Sequence, residues 1–394
     1  MKRKGVSWIQ DACLAASLFL MQPGPVQASA TWDTLVSGDS FNCASAFESS
    51  WNYNYPWGTN HNGSAVMNAT NITVSGGTVT LTSSLTNKYE GVSTANPHLT
   101  IRYNSGTFYL KQEITISPQY PVWDISGQFK APTLTGTWPA FWLTGAHGWP
   151  PESDVMEFKG NSSCLQNTYN GRWQVHTTTI PTADTAWHTY RVVACLENSN
   201  RVDFHYYIDG AMESEQTSTT FAGRPCWLII DFQMEGSSGA PGPSFTTYTY
   251  ASNIVVRRLN VSGVGAGPIA NGAWKIVAQS TGEALGLGNQ ATANNSSLDQ
   301  SPYNAGLNQQ WTLAHLGSSQ YAIFGRQSGR ALQVAGAAKT DGASVNIADY
   351  TNGNNQKWTM VSNANGSYGL VNAGSGKLLS FDAGSNQQWT FQSP

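Results

Sequence analysis

The chain is short of charge. Only 11% of its 394 residues are Asp, Glu, Lys or Arg, against roughly 25% in an ordinary soluble domain. The net charge is −3, which leaves no basic footprint for nucleic acid and no polybasic patch for a membrane surface. No apolar run is long enough to span a bilayer, and no stretch holds a 3.6-residue apolar period long enough for a substantial helix. Cysteine is scarce, with five in all, and no C-x-x-C spacing offers a metal site.

What is present is aromatic: 15 Trp and 16 Tyr. Some must fill cores. A polar, Trp-rich, charge-poor chain also suits neutral sugars, whose apolar ring faces stack on flat side chains. At the N-terminus, Lys2, Arg3 and Lys4 precede a short apolar run from Ala12 to Met21, and Ala28–Ser29–Ala30 offers an A-x-A cleavage site. The pattern predicts an export signal over 1–30 and a secreted, extracellular chain starting near Thr31. Cys13 would leave with it. Cys43, Cys164, Cys195 and Cys226 remain, an even set that predicts two disulfides with the pairing open among three.

"VSGVGAGPIANG", Val261 to Gly272, is a Gly-rich break, and a linker is expected over 261–269. The segment before it, 31–260, holds short runs rich in β-branched and aromatic residues, such as "YRVVACL" and "RVDFHYYIDG". These predict an all-β, two-sheet sandwich. The segment after it, 270–394, repeats itself: "NQQWTL" from Asn308, "NQKWTM" from Asn355 and "NQQWTF" from Asn386. A threefold repeat implies pseudo-threefold symmetry. It resembles the ricin-type β-trefoil. In that resemblance the sugar-binding Asp position reads Gly286, Gln333 and Ser380, and the aromatic position reads Ser301 and Ala348, with Tyr303 and Tyr350 two residues later. Sugar binding by this domain is still expected from its attachment to the segment described next.

The acids gather in "ESDVMEF", where Glu152, Asp154 and Glu157 lie within six residues. Random placement would yield about 0.08 such triples in a chain of this composition. In a strand Glu152 and Asp154 share a face, and Glu157 would take the other. One extra residue at Val155–Met156, a β-bulge, restores it. Glu152 and Glu157 are then roughly 13 Å apart at Cα, and leaning side chains can bring their carboxyl groups to the roughly 5 Å of a retaining glycosidase. Upstream, "GTWPAFWLTG" alternates Trp138, Ala140 and Trp142 onto one face, a sugar platform with room above the acids. Trp123, Trp149, Trp173 and His176 are further candidates to line a cleft.

"GTWPAFWL" followed by "ESDVMEF" resembles glycoside hydrolase family 16, retaining endo-glycanases with a concanavalin-like β-jelly roll. "DISGQFKAP", "WHTYRVV", "FHYYIDG" and "ASNIVVRRL" extend the likeness over most of residues 90–260. The resemblance implies Glu152 as nucleophile, Glu157 as general acid/base and Asp154 as their helper. It implies no required cofactor. Asn253 stands where many members carry an Asp near a structural calcium, which speaks against that ion. The expected function is endo-hydrolysis of a β-1,3 or mixed β-1,3/1,4-glucan by a monomer. A galactan or agar-type substrate and a non-catalytic, lectin-like polysaccharide binder are the alternatives.

Overall fold

Alternation of side chains decides which face of each strand is buried. In β1 (Val122–Lys130), Trp123, Ile125 and Phe129 point inward and are completely buried. The computed structural model, which describes residues 7–10, 28–381 and 387–394, is all-β: a jelly-roll sandwich followed by a β-trefoil. Along the chain, β2 (Thr137–Gly145), β3 (Glu152–Phe158), β4 (Ser163–Tyr169) and β5 (Trp173–Thr179) form a meander in the front sheet. In the back sheet, β6 (His188–Leu196), β7 (Val202–Ile208) and β8 (Ala211–Ser218) form a second meander. Next, β9 (Cys226–Met234) returns to the front beside β2, and β10 (Thr247–Asn260) to the back beside β1.

The front order is β5-β4-β3-β2-β9, continued by Thr107–Leu110 and Trp51–Tyr53, and the back order begins β8-β7-β6-β1-β10. Phe108, Phe141, Val155, Val192 and Phe232 fill the space between them. The β7–β8 hairpin turns on Asp209 and Gly210, both at positive φ, as the Asp-Gly pair requires. Asn253 sits at a bulge in β10 with φ +50°, a conformation its short amide side chain tolerates. Its Oδ1 lies so close to Gly38 that a Cβ there would approach to 2.2 Å.

In the trefoil, the three repeated tryptophans, Trp311, Trp358 and Trp389, are completely buried. Each donates its indole N–H to the carbonyl of a repeat-start leucine: Leu285 (2.9 Å), Leu332 (2.9 Å) and Leu379 (3.4 Å). Equivalent bonds from equivalent positions are what a sequence repeat should produce. In the first two repeats a hairpin follows, Ala284–Leu287 with Leu298–Ser301 and Ala331–Val334 with Val345–Ala348. In the shortened third, Leu378–Phe381 pairs with Ser7–Gln10. Of the rest of the expected export signal, Lys2, Arg3, Lys4, Ala12–Met21 and Cys13 lie outside the described residues, and Ala30 of the expected cleavage site donates its backbone N–H to the Leu316 carbonyl (2.9 Å).

Residues 261–269 join the two domains but are not a free spacer. Val261 and Ile269 are buried, and Gly265 offers its carbonyl to His315 Nδ1. The trefoil docks on the outer face of the back sheet. Val122, Val193, Cys195, Tyr207 and Leu259 pack there against Ala314, Leu316, Phe324 and Tyr350. Arg326 of the trefoil reaches Glu197 (2.9 Å) and Asp203 (3.0 Å), and Arg191 reaches Asp349 (2.6 Å).

The two expected disulfides are absent. Cys43, Cys164, Cys195 and Cys226 are free thiols. Cys164, Cys195 and Cys226 lie on β4, β6 and β9, each buried, while Cys43 precedes a surface helix, Ala44–Ser50. The three buried sulfurs behave as small apolar side chains, and burial pushes the Cys226 thiol up to about 12.

Candidate active site

The expected bulge is present. Phe141 pairs with Met156 and Trp142 with Asp154, so Val155 has no partner on β2, and the register against β4 shifts at the same place. Val155 and Met156 are both completely buried. The extra residue turns Glu157 back to the side of Glu152 and Asp154, and all three line one recess with Trp138, Ala140 and Trp142.

Donors hold these acids. Trp149 Nε1 donates to Glu152 Oε2 (2.8 Å). Trp138 Nε1 donates to Glu157 Oε1 (2.8 Å), and Lys159 Nζ stands 2.9 Å from the same oxygen. Asn167 on β4 donates through Nδ2 to Asp154 Oδ2 (3.0 Å) and Glu157 Oε2 (3.3 Å), tying the middle acid to its neighbour. Burial, with the Glu157 charge adding to it, pushes Glu152 up to about 7. Asp154 is pushed well above the usual carboxylate range, first by burial and then by Glu157 and Glu152. The recess therefore retains protons at pH values where exposed carboxyl groups have lost theirs.

A fourth acid stands among them. Asp231 on β9 lies opposite Ala140 and is 5% exposed. Burial holds it at about 7 against a hydrogen bond from the Tyr55 hydroxyl. Its Oδ1 has no partner. His61, held neutral by burial at about 4, stacks on Trp142. Sequence reasoning named none of Asp231, Tyr55 and His61. The available signal was one acid inside the apolar run "LIIDFQM".

Beside the acids opens an aromatic recess of about 710 Å³, walled by Trp57, Trp142, Trp149, Trp173 and Trp227. Tyr169 lies between Trp149 (4.5 Å between ring centroids) and Trp173 (5.4 Å), making a continuous wall. Four of the proposed lining residues, Trp138, Trp142, Trp149 and Trp173, thus come together. Two do not. Trp123 is a core residue of the back sheet with its N–H on the Thr115 carbonyl. His176 faces away from Trp173 on edge strand β5, 3.6 Å from Glu213 of β8. Alternation put Trp123 on one face of a strand but could not say which face the second sheet would cover.

This constellation on a jelly roll defines a glycoside hydrolase. The chain is 41% identical, over 253 residues, to a galactan endo-beta-1,3-galactanase of Flammulina velutipes; the match takes in 63% of this chain and 96% of the relative. The chain belongs to glycoside hydrolase family 16. It is 28% identical to an endo-1,3-1,4-beta-glycanase of Rhizobium meliloti over 28% of this chain and 24% of that one. An endo-1,3-beta-glucanase structure from Streptomyces sioyaensis overlays with a TM-score of 0.45 at 17% identity, covering 61% of this chain and all of that one. The ricin-type beta-trefoil lectin domain-like family matches residues 260–348 and 307–392.

Proposed function

We propose that the chain is an exported, endo-acting, retaining hydrolase of a β-1,3-linked galactan. One observation carries the site assignment: a single bulged strand presents Glu152, Asp154 and Glu157 to the same recess. Glu152 attacks the anomeric carbon as Glu157 gives its proton to the departing glycosidic oxygen, leaving a glycosyl ester. Glu157 then takes a proton from the water that attacks that carbon. The ester bond breaks and the sugar keeps its β-configuration. Asp154, linked to Glu157 through Asn167, supports the charge each acid must gain and lose.

The galactan reading is supported by the Flammulina relative, nearly the whole length of which is matched. It moves ahead of the glucan that the sequence alone favoured. Endo action is supported by the groove. The aromatic recess lies at the Gly145–Trp227 end of β2 and β9, and a polar recess of about 320 Å³ by Asn62, Glu235 and Ser237 lies at the Thr137–Met234 end. The acids lie between two places for sugar.

The test is reducing-sugar release from β-1,3-galactan, laminarin, lichenan and agarose, with Glu152→Gln as control. Galactan should release oligosaccharides of mixed length, first as β-anomers. Release from laminarin without release from galactan overturns the substrate assignment. Undiminished activity in Glu152→Gln overturns the site assignment.

A further inference from the structure

Lys159 follows the last residue of β3 and stands two beyond Glu157, so alternation returns it to the face that carries the acids. Its ammonium makes two contacts at once. It lies 2.9 Å from Glu157 Oε1, and it sits over the Trp138 ring, 5.3 Å from the ring centre. Among the described residues it is the one cation paired with an acid of the recess.

The partners differ in freedom. Glu157 and Trp138 are buried, whereas the Lys159 side chain is 30% exposed. The backbone beneath the lysine is pinned. Gly160 donates its N–H to the Thr137 carbonyl (3.0 Å). At φ +70° it lies so close to Ser238 that a Cβ would come within 2.2 Å of that carbonyl oxygen. Movement is therefore left to the lysine side chain, a flexible stem ending in a strongly hydrated charge. An ion pair with one partner this exposed is weak and breaks readily.

Two occupants compete for one surface. The Trp138 ring belongs to the proposed sugar platform, and the ammonium lies over it. A sugar ring that stacks there must push the ammonium away, and the same movement takes the cation from Glu157. Two N–H donors, from Trp138 and Asn167, and this ammonium gather at the Glu157 carboxyl. That setting suits a carboxylate. The first step of hydrolysis instead needs a carboxylic acid with a proton to give.

We propose that Lys159 is a positioning residue displaced by the substrate. It keeps Glu157 a carboxylate until a sugar ring takes its place on Trp138, and its departure lets Glu157 take up from solvent the proton that the departing oxygen receives. The inference rests on the assignment of Glu157 as acid/base. Glu152, Asp154, Asp231 and His61 face the same recess, and the buried Cys164 thiol lies within reach of the Glu157 charge. The Lys159 charge also works against the burial that raises Glu152 and Asp154, so the pH profile belongs to the cluster.

The test compares wild type, Lys159→Ala and Lys159→Arg on a soluble fragment of the polysaccharide the chain hydrolyses. The pH profile of kcat/KM reports the chain before substrate binds, and single turnover at saturation reports the complex. In Lys159→Ala the kcat/KM profile should move to higher pH by roughly 0.5–1 unit, and the single-turnover profile by less than about 0.2. Lys159→Arg keeps a charge over the ring and should hold the kcat/KM profile within about 0.2 unit of wild type. Equal movement of both profiles in Lys159→Ala would show that the cation stays beside Glu157 through the reaction, and overturns the proposal. So does an unmoved kcat/KM profile, or a profile in Lys159→Arg that follows Lys159→Ala. Glu157→Gln tests the underlying assignment by itself. Undiminished hydrolysis in that variant removes the acid/base role, whereas its loss beside an unmoved Lys159→Ala profile removes only the displacement.

Discussion

Trp138 donates its indole N–H to Glu157 across 2.8 Å from the strand next door. The bond fixes where the proposed acid/base points, and the ring is part of the proposed sugar platform. Trp138→Phe keeps the flat ring and removes the donor. A hydrogen bond to a charged group is worth about 1.5–3 kcal/mol, so kcat should fall roughly ten- to hundredfold with KM within about threefold. Steady-state kinetics on a soluble galactan fragment reads the split. A change confined to KM would show that the N–H serves only binding.

The two glutamates should separate by the anomer they leave. Removing either costs about a hundredfold or more in rate. Azide fills the space left by a deleted carboxylate. In Glu157→Ala it should trap the glycosyl ester as a β-azide, and in Glu152→Ala it should itself attack and give an α-azide. Proton NMR of the product distinguishes them. The reverse pattern would exchange the two roles.

Glu152 is held at about 7 against 4.5 when unperturbed. The folded chain therefore binds more protons than the unfolded one between those values, and stability falls as pH rises through the window. The full penalty, on the order of 3 kcal/mol, is present above about pH 7. Glu152→Gln should then melt roughly 6–12 °C above wild type at pH 8, with little difference at pH 4. An advantage that grows toward acid pH would contradict this.

Arg326 lies 5% exposed between Glu197 and Asp203. Arg326→Ala leaves those buried acids short of a cation, a loss of about 3 kcal/mol or more. Calorimetry should show a markedly lower melting temperature, and hydrolysis of soluble substrate at 25 °C should be unchanged. An unshifted melting curve would mean that the seam contributes little to stability.

In a chain lacking residues 1–30, Ellman's reagent should titrate one thiol, Cys43, since Cys164, Cys195 and Cys226 are buried. Hydrogen bonds from Ser45 and then the Ala46 backbone lower the Cys43 thiol and speed its reaction. Denaturant without reductant should release all four. Two or fewer in denaturant would indicate disulfides.

The acid triad was legible because a two-then-three spacing on a strand has one economical solution, a bulge, and Val155 provides it. The trefoil was legible because Gln-x-Trp recurs in three places that make the same bond. Asp231 was not, because it is a single acid brought to the recess by a strand some 75 positions further on and paired with Tyr55 from the opposite end of the domain. The thiols misled because an even count fits unpaired core sulfurs equally well. The packing of the 261–269 segment was not legible either, because glycine content reports backbone freedom and says nothing of the apolar seam on which Val261 lands.

The trefoil rests on the back sheet, and the acids open from the front. Packed sheets lie about 10 Å apart, so a polymer strand lying along the cleft would have to wrap around the sandwich to meet the trefoil as well. A polysaccharide strand held by the trefoil would then be a different strand from the one in the cleft, as a hand that grips one rope in a bundle while trimming its neighbour.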